Sequence, residues 1–318
     1  MIVLVPADIH DELAAEAATI APSVSLVSYR EDQDPVPFAD DAVAVFRWIA
    51  GVRYAGLVEN GPNVRWLHTA SAGTDHVITD AIRNKPGLTV TDSGPAFEIA
   101  IAEFVMACML SVTRRLPTLW ERQQRKQWEW LTQDEVWGKS VGIVGLGPIG
   151  VGVARRAKAF GMRTLGLRRR DLPAEAVDEV LTGRAGLDRI LAESDFVLLA
   201  AALTPETRSL IGAAELRSMK NSAWLLNIAR GSMVDDAALI AALQSGEIAG
   251  ACLDVFAKEP LPQDHPFWSM PNVMVSPHSS SGWTAGLKAR QKAIFLENLK
   301  RFADGAPLEN VVDFAAGY

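Results

Sequence analysis

Cysteine is nearly missing from this chain: Cys108 and Cys252 are the only two among 318 residues, each inside an apolar stretch. Two such thiols do not make a disulfide framework or a zinc cluster, and they point to buried thiols in a reducing, cytoplasmic setting. Basic excess is missing too. Against 38 Asp and Glu stand 31 Lys and Arg, a formal charge of −7, so neither nucleic acid nor an anionic membrane is an expected partner. No uninterrupted apolar run reaches the length of about 18 residues that a bilayer span requires. The start, Met1 to Pro6, lacks the basic residues and cleavage site of a signal peptide and reads as a strand. What is present, 49% apolar and 22% charged residues, is the balance of a soluble globular protein and excludes a disordered or collagen-like chain. At this length two domains are expected.

Short β-type runs alternate with helical stretches over the first hundred residues, with strands expected at 2–5, 24–27, 42–46, 65–69 and 89–91. That alternation predicts an α/β protein with a doubly wound parallel sheet. A long apolar helix is expected from Glu98 to about Leu116. A helix apolar around most of its circumference is buried or packs on a partner subunit. The stretch from Trp120 to Trp130 is polar with aromatic interruptions, which suits an exposed helix and loop or a subunit contact. After Gly138 the pattern restarts. Strands are expected at 141–144, 164–167, 196–200, 249–254 and 273–275, and helices at 148–160, 235–244 and 286–302.

Gly145-Leu146-Gly147-Pro148-Ile149-Gly150 has the G-x-G-x-x-G spacing, directly after an apolar strand and directly before a helix. The first glycine permits the tight turn, the second lets a pyrophosphate approach, and the third lets helix and strand pack closely. The helix N-terminus then offers unpaired N–H groups to the phosphates. An acid about 20 residues further on would bind the 2′-hydroxyl of NAD. Here Arg168, Arg169 and Arg170 stand there instead. An arginine at that place suits the 2′-phosphate of NADP, so NADP is the expected cofactor, with Arg168 and Arg169 as contacts and NAD as the second choice.

Three further segments each follow an apolar run: Asn227–Gly231, Leu253–Pro262 and Ser276–His278. Doubly wound sheets place ligands at such strand ends. Arg230 offers a planar fork for a carboxylate. His278 exchanges a proton near neutral pH, and Glu259 is placed to orient it and favour its charged form. Taken singly, each is as well read as a surface or loop residue.

Together with the dinucleotide turn, VGIVGLGPIG (141–150), WLLNIARGSMVDDAAL (224–239), GACLDVFAKEPLP (250–262) and MVSPHSSSG (274–282) resemble the D-isomer-specific 2-hydroxyacid dehydrogenase family, which includes glyoxylate/hydroxypyruvate reductases. The resemblance runs over nearly the whole chain. It implies a flavodoxin-like substrate lobe at 1–99 plus 287–318, a Rossmann cofactor lobe at 100–286, a reaction cleft that closes against water, and a homodimer through the 98–116 helix. It implies that Arg230 binds the carboxylate and polarises the 2-oxo group, that His278 protonates the carbonyl oxygen, and that Glu259 holds His278. Asp254, Thr207, Ile228 and Ala229 would then lie on the cofactor side. Ala72 and Gly73, in Ser71–Asp75, would cradle the substrate carboxylate with their backbone. Trp48 would line the pocket, though it is equally readable as a packing residue; Trp283, five residues after His278, is a further candidate for the lining, more readily read as a surface residue. Ala200-Ala201-Ala202 departs from the His and Pro that many members have there. The expected reaction is reduction of a small 2-oxo acid of the glyoxylate and hydroxypyruvate class, and its reverse. An NAD-dependent dehydrogenase of a bulkier D-2-hydroxy acid, or a non-catalytic dinucleotide-sensing module, are the alternatives.

Overall fold

The computed structural model describes residues 1–48 and 51–314. Its contacts divide the chain into two compact units, 1–97 with 283 onward, and 98–282, against limits of 99 and 286 in the resemblance.

The first unit begins β1 (Ile2–Pro6), α1 (Ala7–Ile20), β2 (Ser25–Tyr29), β3 (Ala42–Arg47), α2 (Arg53–Asn60), β4 (Trp66–Thr69), α3 (Asp80–Asn84) and β5 (Thr89–Asp92). Its five strands are all parallel in the order β2-β1-β3-β4-β5, the flavodoxin-like order. Successive strand residues point to opposite faces. Val3, Val5, Phe46, Trp48 and Trp66 pack with Leu13 of α1 and with Phe295 and Leu299 of the returning chain. Leu4, Val45, Leu67 and Val90 pack with Tyr54, Leu57 and Ile82 of α2 and α3. Phe46 and Phe295 stack with centroids 4.1 Å apart, and a fully buried Phe contributes about 1.5–3 kcal/mol.

The second unit runs α4 (Glu98–Thr113), α5 (Leu116–Gln124), β6 (Ser140–Val144), α6 (Pro148–Ala159), β7 (Arg163–Leu167), β8 (Glu179–Leu181), α7 (Gly183–Glu193), β9 (Phe196–Leu199), α8 (Ala213–Ser218), β10 (Trp224–Asn227), α9 (Asp236–Ser245), β11 (Gly250–Leu253) and β12 (Val273–Val275). Its seven strands are parallel in the order β12-β11-β10-β9-β6-β7-β8. The sequence order reverses between β6 and β9, the switch point at which such sheets take a dinucleotide. The chain then returns to the first unit as α10 (Ala285–Asp304), capped by Thr284 and ended by Gly305 at φ +67°.

The expected helix 98–116 is two helices. Pro117 lacks an N–H, and its ring would clash with the Thr113 carbonyl of a continued helix. The chain therefore breaks at Arg115, at φ +49°. Gly94–Thr113 is long and apolar enough to span a bilayer by length and composition. Half of it is buried, and α4 lies so close on α6 that a Cβ at Gly152 would stand 2.4 Å from Glu98. Packing on α6 accounts for its buried face.

Candidate active site

Each glycine of the 145–150 turn answers a different constraint. Gly145 sits at φ +107°, where a Cβ would stand 2.6 Å from the Ala201 nitrogen across the switch point. A Cβ at Gly150 would meet the Gly145 carbonyl at 2.0 Å, so α6 packs on the turn only without one. A Cβ at Gly147 would meet nothing within 4 Å. Gly147 and Pro148 are exposed, Ile149 is half-buried, and no side chain caps the α6 N-terminus. This exposed backbone at a helix start fits a pyrophosphate.

Arg168 ends β7, its N–H on the Leu181 carbonyl at 3.1 Å. Among the described residues its half-buried side chain donates to two carbonyls, Leu172 at 3.4 Å and Pro173 at 3.5 Å. Arg169 is exposed. Glu206 is held below the ordinary carboxyl range, first by the Thr204 hydroxyl and also by the Arg169 charge. Thr207 organises the same loop: its hydroxyl donates to the Ala202 carbonyl at 2.8 Å and accepts the Thr204 N–H at 2.7 Å. Ala200 and Ala201, where the family resemblance expects other residues, form the backbone wall against Gly145.

Arg230, Glu259 and His278 follow three neighbouring strands, β10, β11 and β12. At the end of β10, buried Asn227 donates to the Arg230 carbonyl at 3.0 Å and accepts the Ala229 N–H at 3.1 Å, which turns Ile228 and Ala229 and presents Arg230. One guanidinium nitrogen of Arg230 donates to the Ala229 carbonyl at 2.7 Å. Gly231 presses against the next loop: a Cβ there would stand 1.9 Å from the Phe256 carbonyl carbon. Phe256 in turn donates its N–H to Glu259 Oε1 at 2.9 Å. Glu259 Oε2 meets His278 Nδ1 at 2.8 Å. Both oxygens of the carboxylate are thus placed, and the imidazole is left to work through Nε2.

Asp254 is 1% exposed, and its carboxylate turns inward. Oδ1 accepts the Ser276 hydroxyl at 2.7 Å and the Ser279 and Ser280 N–H groups at 2.8 and 3.2 Å; Oδ2 accepts Ser280 N–H at 3.1 Å. Its backbone carbonyl takes the His278 N–H at 2.8 Å. His278 itself sits at φ +52°, a strained conformation for a side-chain-bearing residue, and Asp254 is what holds it there. Asn227, Gly231, Ser276, Ser279 and Ser280 were not singled out from the sequence. Their signal was position alone, inside the motifs and next to the reactive groups.

In the first unit, Ala72 and Gly73 are half-exposed in the loop after β4. Ser93 donates its N–H to the Ser71 carbonyl at 3.1 Å and ties that loop to β5. Trp48 is 5% exposed and packs edge-on to Phe46, 5.8 Å between centroids, so its ring belongs to the core. Ile49 and Ala50, which follow it, lie outside the described residues. Trp283 is 44% exposed at φ +44°, just before α10.

Residues 106–280 match the family model for the NAD binding domain of D-isomer specific 2-hydroxyacid dehydrogenases. The chain is 40% identical over 248 residues to a glyoxylate reductase of Thermofilum pendens, spanning 75% of this chain and 71% of that protein. It is 39% identical over 264 residues to a glyoxylate/hydroxypyruvate reductase B of Pectobacterium carotovorum, spanning 81% of each. A solved D-isomer specific 2-hydroxyacid dehydrogenase from Xanthobacter autotrophicus, in complex with NADPH and MES, matches with a TM-score of 0.86 at 32% identity, over 100% of this chain and 99% of that one. An NADPH-dependent glyoxylate/hydroxypyruvate reductase from Sinorhizobium meliloti, in complex with NADP and sulfate, matches with a TM-score of 0.82 at 28% identity over the same shares.

Proposed function

The chain belongs to the D-isomer specific 2-hydroxyacid dehydrogenase family, and from that membership we propose that it reduces a small 2-oxo acid of the glyoxylate and hydroxypyruvate class to the D-2-hydroxy acid, and runs the reverse, with NADPH preferred over NADH. The observation that carries this reading is the Glu259–His278 contact of 2.8 Å, at the carboxyl end of the same sheet that carries a glycine turn shaped for a pyrophosphate. Glyoxylate and hydroxypyruvate reductases among its relatives support the substrate class.

When bound, NADPH would supply the hydride for C2 of the oxo acid. Arg230 receives the substrate's carboxylate and draws electron density toward the carbonyl oxygen. His278 delivers the proton to that oxygen from Nε2, because Nδ1 is held by Glu259. The negative Glu259 offsets the ring's charge while it holds that proton. Ser71–Asp75 adds backbone donors for the carboxylate. Gly145, Gly147 and Gly150 would hold its pyrophosphate, and Arg168, with Arg169, would take the 2′-phosphate. Asp254 positions the His278 loop, a role supported by its inward hydrogen bonds.

The reading extends to a homodimer through α4 and the chain after it. Ile99 of α4, Trp120 of α5 and the loop residues Trp128 and Trp130 are all exposed apolar surface, which supports a second copy as their cover. A cytoplasmic location fits two free, buried cysteines.

One experiment tests the enzyme: initial rates with glyoxylate, hydroxypyruvate and bulkier 2-oxo acids, each with NADPH and NADH. Turnover of the two small acids with NADPH is expected. A protein that binds NADPH and turns over none of the acids is a sensing module; one faster on a bulky acid with NADH is a different dehydrogenase.

A further inference from the structure

Arg47 closes β3 and is 6% exposed. A guanidinium is a permanent cation, and burying one is costly unless a counter-ion and hydrogen bonds compensate. Here the compensation is partial. Nη1 donates to Ser71 Oγ at 2.9 Å and to Thr69 Oγ1 at 3.3 Å, and the Tyr54 ring centroid lies 5.3 Å from Cζ. Among the described residues no carboxylate forms an ion pair with it, and its buried Nε–H has no acceptor.

Its place in the sheet gives that charge a direction. Arg47, Thr69 and Asp92 pair across β3, β4 and β5 and form one row at the carboxyl ends of the strands. Asp92 commits Oδ1 to the Gly94 N–H at 2.7 Å. Ser71, one step beyond the row, opens the Ser71–Asp75 loop. Its oxygen accepts from Arg47, which leaves its own O–H to donate, and among the described residues that proton has no acceptor. The loop's entry is fixed from the other face, where buried Gln291 of α10 donates to the Ala70 carbonyl at 2.6 Å. A hydroxyl polarised by a buried cation and still holding its proton is a donor for an anion.

We propose that Arg47 is a positioning residue that makes the Ser71 loop a carboxylate receptor: it holds the Ser71 hydroxyl as a donor and supplies, from beneath the loop, the charge that a 2-oxo acid's carboxylate completes. The inference rests on the reading of this chain as a 2-oxo acid reductase. It accounts for a buried cation without a counter-ion in a sheet that would pack at least as well around an apolar side chain.

The test compares wild type with Arg47→Met, Arg47→Lys and Ser71→Ala in NADPH-linked reduction of glyoxylate, with oxalate as a non-reducible probe of the loop. Arg47→Met is expected to raise KM for glyoxylate and weaken oxalate by about tenfold or more, with a much smaller change in kcat. Arg47→Lys recovers part of the loss. Ser71→Ala shifts both constants the same way, and adding it to Arg47→Met changes little further. The melting temperature of Arg47→Met equals or exceeds that of wild type, because an uncompensated charge has been removed. A purely structural arginine gives the opposite pattern, a lowered melting temperature with KM and oxalate affinity unchanged, and that result overturns the proposal. Should Arg47→Met not fold, Arg47→Lys and Ser71→Ala decide it through the same two constants, and unchanged values in both overturn it. A wild type inactive on every 2-oxo acid defeats the functional reading instead, before any substitution is made.

Discussion

In the second unit the buried polar side chains bond to backbone and shape loops. Asn227 turns the Arg230 segment, and Asp254 gathers the N–H groups of Ser279 and Ser280. The groups that would do chemistry, Glu259 and His278, stand exposed beyond these holders. In the first unit one set of buried polar side chains bonds to one another across the sheet. His68 Nδ1 meets Thr91 Oγ1 at 2.7 Å and Nε2 meets Ser93 Oγ at 3.1 Å, while Trp66 donates to the same Thr91 hydroxyl at 2.9 Å. One unit keeps reagents apart from scaffold; the other runs its polar groups through the scaffold itself. Substitutions should therefore separate activity from stability in the second unit and mix them in the first.

The largest expected effect tests the first half of that contrast. His278→Ala should lower kcat/KM for glyoxylate reduction by about 10²–10⁴-fold, the usual range for a general acid. The melting temperature should stay near that of wild type, because the ring is exposed and Asp254 still holds the loop backbone. A large loss of stability together with the rate would show that reagent and scaffold are not separate there.

The same division decides what could be read from the amino-acid order. Gly145, Gly147, Gly150, Arg230, Glu259 and His278 stand in short motifs whose residue types are dictated by local backbone or by chemistry, and so they are visible without a fold. The holders are not. Ser276, Ser279 and Ser280 have the composition of any loop, and only the buried Asp254 carboxylate between them gives them a task. Arg47, His68 and Asp92 are polar residues among strand-formers, and nothing local says that the sheet buries them. Sheet burial likewise turned Trp48 inward, which favours the packing alternative over the pocket role that the family resemblance implies. The edge strand β8 escaped notice because three half-buried residues carry no alternation to detect.

Next in size is cofactor choice, which concerns an exposed part of the second unit. Arg168 should favour NADPH over NADH by about ten- to hundredfold in kcat/KM, the size of a hydrogen bond to a charged group. Arg168→Asp should remove most of that preference and weaken NADPH more than NADH, with the fold unaffected. Solvent screening works against the effect. A wild type that prefers NADH would mean that the guanidinium stays on the Leu172 and Pro173 carbonyls.

His68 tests the other half of the contrast. Complete burial pushes its pKa down from 6.5 to about 3, so the folded chain keeps the ring neutral while an unfolded chain protonates it. Its contribution is present in full above 6.5 and falls as pH drops toward the folded value. At about 1.4 kcal/mol per pH unit, the stability gap between wild type and His68→Gln should shift by about 2 kcal/mol between neutral pH and about pH 5. Urea unfolding at the two pH values measures it. A gap independent of pH would mean that the His68 ring is reached by water.

Asp92 gives the smallest effect and the opposite sign. Burial pushes its carboxyl up from 3.8 to about 6, against the pull of the Gly94 N–H bond. Between those values the unfolded chain is ionised while the folded chain holds the proton, so stability falls as pH rises and the loss is complete above about 6. Asp92→Asn keeps an acceptor for Gly94 and removes the titration. From about pH 5 to pH 7 wild type should lose about 1 kcal/mol relative to that variant. Where the two windows overlap, His68 and Asp92 act against each other, so their joint contribution to stability should be nearly flat there. Each single substitution unmasks the other group: Asp92→Asn should steepen the fall in stability on acidification, and His68→Gln should make it shallower. Parallel pH profiles for wild type and both variants would show that the first unit's buried groups do not set its stability, and the contrast between the two units would fail on that side.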